Sequence, residues 1–521
     1  MTTSTSNEQL SATPRADAAQ TATEAVAPVT TTGPPAAPPP ADSARPAVAE
    51  VPRTLWSRFI ILVLCLAVVL STLAFGTVHA WSLGLFQAGA GLVLALWMLD
   101  AWRTRTLRVS RNFLQLPLLG LLAVGLLQLM PLGGGDSGAA RPLSLDPHAT
   151  RVVVLQLAAL SIYFAAALAF IDTPRRLRLM VRLVIIFGFA LAMFGLMQHF
   201  VNPSTIFWVR EPKQATPFGP YVNRHQFAGY MELTLALPLG LLFAGAIPRE
   251  RAPLYAFAAA LMCIAIVMTN SRGGMLSMVA EIVFLVLVSV RVGRKSRSGA
   301  EGEEEKVSRV RALAWRAGLA FVMVVAVVFG ALYFGGEDAL SRLVGTVNAA
   351  DPTTGRAHFW KGTVEIIKDH PLLGTGLGAF SAIYPRYDTG NGMYRLEQAH
   401  NDYLQILSDA GVVGGVLGLL FVAWLFRSAL ARMQSHDRFR RGVALGALAG
   451  CAGVLVHSFF DFTLHALANA LMFLVLAALA TLNGRVEEPE VQRRRKRRRR
   501  RRAGEQPHAD AEVPERETLA A

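Results

Sequence analysis

Two segments decide the fold: GRAHFWKGTVEIIKDHPLLGTGLGAF at 355–380 and QAHNDYLQILSDAGVVGG at 398–415. They interrupt a largely apolar chain with ionisable side chains that a hydrocarbon core disfavours. The polar residues of the two segments and of the stretch between them include Arg356, His358, Lys361, His370, Arg386, Arg395, Glu397, His400, Asn401 and Asp402. The pattern predicts one large polar loop, 336–400, between hydrophobic spans.

The composition indicates a membrane protein. Of the 521 residues, 53% are hydrophobic and only 17% are charged, and the mean hydropathy is +0.39. A soluble domain usually carries about 25% charged residues. Much of the net charge of +15 lies in the basic run 493–502 and in short loops between apolar segments, which argues against a nucleic-acid partner.

About twelve apolar stretches have the length of roughly 20 residues that crosses a bilayer. They lie near 55–75, 82–100, 113–131, 151–171, 180–200, 224–247, 253–270, 274–291, 317–335, 401–427, 442–460 and 464–483. Backbone groups in lipid must be satisfied within the segment, so each stretch is expected to be helical. The predicted fold is an all-α polytopic transmembrane helical bundle with one large extracytoplasmic loop containing short helices.

The domain organisation follows from these spans. Residues 1–54, rich in Ala, Thr and Pro, are expected to form a disordered cytoplasmic tail. Spans one to nine occupy 55–335, the polar loop follows at 336–400, and spans ten to twelve occupy 401–483. Residues 484–521 are expected to be a basic, disordered cytoplasmic tail whose arginines lie against anionic headgroups.

Charge in the short connections predicts the orientation. Alternate connections are rich in Arg and Lys, and the intervening ones are poor in both. The basic connections include 103–111, 175–182, 249–251, 291–316 and 427–441. Because basic loops remain in the cytoplasm, both termini are expected to be cytoplasmic and the 336–400 loop periplasmic.

Within the polar loop, residues 356–368 are expected to form an amphipathic helix on the membrane or on the mouth of the bundle. His370-Pro371 ends it, because the residue before proline avoids the α region. The GTGLGAF segment superficially matches a dinucleotide-binding pattern, but no strand precedes it. It is interpreted as a tight turn whose backbone approaches a ligand.

Further candidate residues border this loop. His400 precedes span ten, which Asn401 or Asp402 can cap. Arg272 lies at the end of span seven without an obvious partner, which favours a functional role. Arg224, beside Asn223, opens span six and could serve either the site or lipid headgroups.

The last two spans carry His457, Asp461 and His465 at i, i+4 and i+8. This spacing is compatible with a metal site on one helix. A turn is expected within the segment, which favours a polar network lining a cavity. Glu232 and Glu281, inside predicted spans, are either buried polar contacts or part of a pathway.

Together these motifs resemble the O-antigen ligase and O-antigen polymerase superfamily over roughly residues 200–480. The shared features are an Asn-containing segment before span six, Ser-Arg-Gly at a span end, a Gly-Arg-x-x-x-Trp helix, a Pro-x-x-Gly-x-Gly turn and Ala-His-Asn-x-Tyr before the next span. The resemblance implies a bacterial inner-membrane glycosyltransferase that takes a glycan from a polyprenyl-diphosphate carrier at the periplasmic face.

The resemblance also implies roles for individual residues. The arginines that hold the diphosphate match Arg272 and Arg356, and the essential histidine matches His400. Arg is suited to phosphate because its planar fork pairs bidentately, and His is suited to accepting the acceptor's proton. We add Asn223, Arg224, Trp360, Asn401 and Asp402 as candidate substrate-binding residues. No metal and no cofactor are predicted.

Several alternatives stay open at this point. The expected partners are membrane lipids, a polyprenyl-diphosphate-linked glycan donor, and a glycan, lipid A core or protein acceptor. The motifs do not distinguish a ligase from a polymerase. A polyprenyl-lipid or polysaccharide transporter is a second hypothesis, although transporters place polar sites near the midplane. A structural subunit of an export complex is the third, and it leaves the Arg and His cluster unexplained.

Overall fold

The structure is a computed structural model, and it describes several ranges of the chain. These are 54–133, 141–213, 215–295, 318, 325, 356–390 and 395–487. Every regular element within them is a helix, and none of these residues belongs to a strand. The all-α prediction is therefore confirmed.

Thirteen α-helices can be numbered along the described residues. They are α1 Leu55–Leu73, α2 Ala80–Thr104, α3 Gln115–Gln128, α4 Pro147–Phe170, α5 Pro174–Val201, α6 Arg224–Phe243, α7 Ala252–Met268, α8 Arg272–Lys295, α9 Arg356–Asp369, α10 Phe380–Ile383, α11 Asp402–Arg432, α12 Arg438–His457 and α13 Leu467–Thr481. Short 3₁₀ turns lie beside several of them, including Arg249–Arg251 before α7 and Thr463–His465 before α13.

Within this described part, nine helices are long and apolar enough to cross a membrane. They are α1, α2, α4, α5, α6, α7 with its preceding turn, α8, α11 and α12. Helices α3 and α13 are apolar but shorter, with 14 and 15 residues. The span predicted at 317–335 lies outside the described residues except for Gly318 and Val325. The count of twelve therefore stays a prediction.

Parts of the polar loop and of both predicted tails also lie outside the described residues. These are 1–53, 336–355, 391–394 and 488–521. The described part of the loop does contain short helices, because α9 and α10 both fall within it. Helix α9 ends at Asp369, immediately before His370-Pro371, as the proline rule predicts.

Local sequence signals explain where several helices begin. The side chains of Asp146 and Thr173 accept backbone N–H groups of α4 and α5, and each is followed by a proline. Proline suits the first helical position because its missing N–H would be unpaired there. Asn223 and Asn401 cap α6 and α11 in the same manner. Of the two caps predicted for α11, Asn401 and Asp402, the structure shows Asn401.

Helix α6 lies at the centre of the bundle and is the most buried of the spanning helices. It packs against α12 through glycines, and the two backbones come so close that a Cβ on Gly446 would collide with the carbonyl oxygen of Ala236. Small residues allow such close contact between membrane helices. The N-termini of α6, α8 and α11 and the C-terminus of α12 meet at one end of the bundle, which we call the site end.

The glycine turn at 374–378 packs on α11. Gly374, Gly376 and Gly378 have φ of +68°, +119° and +79°, a region that favours glycine. The Gly376 N–H donates to the Asp409 carbonyl at 3.1 Å, and the Gly378 N–H donates to the Asp409 carboxylate at 3.0 Å. The backbone of this turn closely approaches α11, and its expected approach to a ligand stays a prediction.

Candidate functional site

The carboxylate of Asp461 is the centre of the candidate site. It lies in the turn between α12 and α13, and its side chain is only 4% exposed. Three side chains from other elements approach it. Arg356 Nη2 lies 3.3 Å from Oδ2, His400 Nδ1 lies 3.5 Å from Oδ1, and His225 Nδ1 lies 3.6 Å from Oδ2. Residues far apart in sequence thus share one buried anion.

The surroundings of Asp461 favour its charged form. Burial alone would raise the pKa of this carboxyl. The interaction with His400 and the charges of His225, Arg356 and His457 outweigh burial and hold the pKa of Asp461 well below its ordinary value. Asp461 is therefore ionised at neutral pH.

The ring of His400 is fixed on three sides. Phe359 stacks on it with ring centroids 6.0 Å apart, and Phe462 meets it edge-on at 4.7 Å. Nδ1 is fully buried and lies 3.5 Å from Asp461 Oδ1 without a hydrogen bond, and no described hydrogen bond engages Nε2. The backbone of His400 has φ +52°, in the left-handed region that residues other than glycine seldom adopt. Nε2 is therefore the nitrogen left for a substrate.

The N-termini of α6, α8 and α11 lie at this end of the bundle, together with Arg356, the first described residue of α9. Arg224 and Arg272 are the first residues of α6 and α8, and His400 lies two residues before the start of α11. A helix N-terminus carries a partial positive charge and unpaired N–H groups, both of which favour anions. At the site end, the positive charge of the arginine side chains therefore adds to the partial positive charge of the helix N-termini.

A hydrogen bond links two of these helix starts. His225 Nδ1 lies 2.8 Å from Oγ of Ser271, and that hydroxyl also accepts the Gly274 N–H at 3.2 Å. Arg272, the next residue along, is exposed, and none of the described residues pairs with it. The Ser271 contact therefore fixes the backbone of α8 and leaves the Arg272 side chain available.

The predicted substrate-binding residues are engaged to different degrees. Asn223 caps α6 by accepting the His225 N–H at 2.8 Å, and the backbone N–H of Arg224 donates to the Thr216 carbonyl at 2.9 Å. Trp360 is half-buried on α9, and its Nε1–H has no hydrogen-bond partner among the described residues. Asn223 and Arg224 directly precede His225 in the chain, and Trp360 lies one helical turn after Arg356.

Asn401 and Asp402 have structural contacts at the start of α11. The Asn401 carboxamide accepts the N–H groups of Tyr403 and Leu404 and donates to the Phe459 carbonyl at 3.2 Å. The Asp402 carboxylate accepts the Ser458 hydroxyl at 2.7 Å and lies 3.1 Å from His465 Nδ1. Both residues tie α11 to the turn that carries Asp461.

His457, Asp461 and His465 do not share one helix, because α12 ends at His457. His457 pairs with Glu232 at 2.9 Å and His465 pairs with Asp402, while Asp461 faces Arg356 and His400. No group of three or more His, Cys, Asp or Glu among the described residues is arranged to hold a metal ion. The expected turn is confirmed and the three side chains make polar contacts, whereas a cavity lined by them stays a prediction.

Sequence reasoning did not assign Asp461, His225 or Ser271 to the site. A signal for Asp461 was present, since it is an isolated carboxylate in a short turn on the same predicted side as Arg272 and Arg356. A buried carboxylate needs a partner of opposite charge. That rule requires a cation next to Asp461, but it does not say which one.

The fold and the site define a multi-pass helical membrane protein with a histidine and arginine cluster at one end of its bundle. Residues 257–419 match the family model described as O-Antigen ligase (Wzy_C). The matched segment is similar to the O-antigen ligase family, which supports the resemblance predicted from the motifs. It contains Arg272, Arg356 and His400 and ends before Asp461. A search of curated proteins finds none that matches the chain.

Proposed function

We propose that this O-antigen ligase-like protein transfers a glycan from a polyprenyl-diphosphate carrier to an acceptor hydroxyl. The reaction takes place at the periplasmic face of a bacterial inner membrane, with both termini in the cytoplasm. The observation that carries this proposal is the meeting of Arg356 and His400 on the carboxylate of Asp461. It supports the proposal because a guanidinium and an imidazole lie together within one small site.

In this proposal Arg272 and Arg356 hold the diphosphate of the donor. The diphosphate is a stable leaving group, so it needs charge stabilisation rather than a proton. Guanidinium groups remain charged at all working pH values and pair bidentately with phosphate oxygens. The helix starts at Arg224 and Arg272 add favourable dipoles. These groups provide the positive charge without a metal ion.

His400 is the proposed base. The acceptor oxygen attacks the anomeric carbon of the donor sugar, and the bond from that carbon to the diphosphate oxygen breaks. The hydroxyl proton passes to Nε2 of His400, and the electron pair of the broken bond leaves on the carrier diphosphate. Asp461 acts as a positioning residue because it faces Nδ1 and stabilises the imidazolium that forms.

Asn223, Arg224, Trp360, Asn401 and Asp402 are proposed to bind substrate around this centre. Trp360 is the most direct candidate, since its Nε1–H is unpaired among the described residues and an indole face suits a sugar ring. Asn401 and Asp402 contribute by holding the start of α11, and with it His400, against the Asp461 turn.

The orientation supports the same proposal. The site end contains the predicted extracytoplasmic connections, which are poor in Arg and Lys, whereas the basic connections lie at the other ends of the same helices. A lipid-linked donor whose headgroup faces the periplasm would reach the arginines from the membrane surface.

The test uses the full-length protein in lipid nanodiscs with a polyprenyl-diphosphate glycan and no ion gradient. We expect the wild-type protein to release carrier diphosphate and to elongate or modify the acceptor. His400→Ala should reduce the rate by at least about 100-fold, the usual contribution of a general base. His370→Ala, which changes another histidine of the same loop, should leave the rate and the melting temperature unchanged. Full activity in His400→Ala at normal protein level would contradict the assignment.

A transporter is the second candidate, and Glu232 and Glu281 are the observation that favours it, because both are buried within spanning helices. The gradient-free assay separates the two functions, since a transporter releases no carrier diphosphate. A deletion strain then separates ligase from polymerase: full-length chains accumulating on the carrier indicate a ligase, and single repeat units indicate a polymerase.

A further inference from the structure

A second cluster of ionisable side chains lies inside the bundle, away from Asp461. Glu232 of α6, Glu281 of α8 and His457 of α12 have no solvent exposure at all. The three helices that contribute them pack against one another. The proposed transfer reaction uses none of these groups. Burying ionisable side chains in a membrane interior costs free energy, and their presence there requires a separate explanation.

Glu232 is fully engaged. His457 Nδ1 lies 2.9 Å from its Oε1, and the Ser277 hydroxyl lies 2.7 Å from its Oε2. Ser277 also contacts the Gly453 carbonyl oxygen. The carboxyl group therefore has a histidine on one oxygen and a hydroxyl on the other, so both of its oxygens are engaged.

Glu281 differs from Glu232. It lies one helical turn after Ser277, and neither of its carboxyl oxygens has a hydrogen-bond partner among the described residues. A Cβ added to Gly453 would lie 3.4 Å from both Glu281 Oε2 and Ser277 Oγ, so the two side chains face the same glycine. The neighbouring titratable groups are Glu232, His457 and, from α7, Cys263.

The charges of this cluster do not balance if every group is ionised. Two glutamates and one protonated histidine leave a net negative charge where no solvent reaches. An uncompensated buried ion costs several kcal/mol even after relaxation. One additional positive charge removes this cost, and the described residues offer no set of ligands for a metal ion. We propose that Glu281, together with the Glu232–His457 pair, forms a proton-binding site within the bundle, with the proton carried on the Glu281 carboxyl.

The site is connected to the helices that carry the arginines. A Cβ on Gly273, the residue after Arg272, would lie 2.8 Å from Cδ2 and 3.0 Å from Nε2 of His457. The backbone carbonyl of His457 accepts the Asp461 N–H at 3.0 Å. Loss of the proton from Glu281 would add a negative charge between α6, α8 and α12, and it would strain the starts of α6 and α8 as well as the Asp461 turn.

The proposal is tested by infrared spectroscopy of the full-length protein in nanodiscs, with no substrate present. The wild-type protein should show the carbonyl band of a protonated carboxylic acid at neutral pH, and Glu281→Gln should remove it. Glu365→Gln, which changes an exposed glutamate of α9, should leave the band intact. A wild-type spectrum without the band, or a band that survives in Glu281→Gln, would refute the site.

Sodium distinguishes a proton from a metal cation. The band should be the same in sodium chloride and in choline chloride, and its loss on adding sodium would show that a cation occupies the site instead.

A second measurement uses the thermal stability of the protein. The melting temperature of the wild-type protein should fall as pH rises and Glu281 loses its proton, whereas that of Glu281→Gln should change less. Equal profiles for the two proteins would also contradict the proposal.

Discussion

Arg356 Nη2 lies 3.3 Å from Oδ2 of Asp461, a residue 105 positions further along the chain. The other oxygen of the same carboxylate faces Nδ1 of His400. The proposed phosphate-binding group and the proposed base are therefore held by one buried anion. A change at Asp461 affects both at once, which makes it the most informative position after His400.

Asp461→Asn should slow glycan transfer by at least about 100-fold, because the neutral amide no longer stabilises a protonated His400. Initial rates measured over a range of donor concentrations check this. We expect kcat to fall and KM for the donor to rise, because Asp461 contacts both His400 and Arg356. Asp388→Asn, which removes a comparable contact to His358 at 2.8 Å elsewhere in the loop, should alter the rate by less than about threefold. Equal rates for wild type and Asp461→Asn would exclude the positioning role.

Low pH should reduce the stabilisation that Asp461 gives the folded protein relative to Asp461→Asn. Because its pKa in the folded protein lies below the ordinary value of about 4, the stabilisation is present above that value and is lost as pH falls through the folded pKa. The melting temperature of wild type should therefore exceed that of Asp461→Asn at neutral pH, and the difference should shrink below about pH 4. A difference in melting temperature that grows as the pH falls would contradict this prediction.

Arg272→Lys should weaken donor binding without weakening the fold. The Arg272 side chain is exposed and unpaired among the described residues, so its replacement breaks no ion pair or hydrogen bond with any of them. Lysine keeps the charge but loses the planar fork, and we expect KM for the donor to rise about tenfold, equivalent to about 1.4 kcal/mol. The melting temperature serves as the control. An unchanged KM for both Arg272→Lys and Arg272→Ala would remove Arg272 from the site.

Gly376→Ala should destabilise the protein, since φ +119° is outside the range of alanine and the added Cβ would collide with Ser144 Oγ. The strain alone costs about 1–3 kcal/mol. Gly418→Ala is the matched control, because that glycine lies within helix α11 and no atom lies within 4 Å of the added Cβ. Thermal unfolding should show a lower melting temperature for Gly376→Ala only.

Much of the fold could be predicted from local sequence. Apolar segments of spanning length gave the helices, the proline after His370 ended α9, and Asn401 capped α11. The motifs also indicated the superfamily and named Arg272, Arg356 and His400. These features depend on neighbouring residues in the chain, where helix periodicity, backbone restrictions and capping act.

Only the tertiary structure decided which groups meet. Asp461 could have faced any polar side chain at its end of the bundle, and the packing of α12 and α13 against α6 and α11 selected Arg356, His400 and His225. The same packing left Glu281 without a hydrogen-bond partner and brought the glycine turn against Asp409. Side-chain pairing between distant helices depends on how their surfaces fit, and the sequence of each helix alone does not determine that fit.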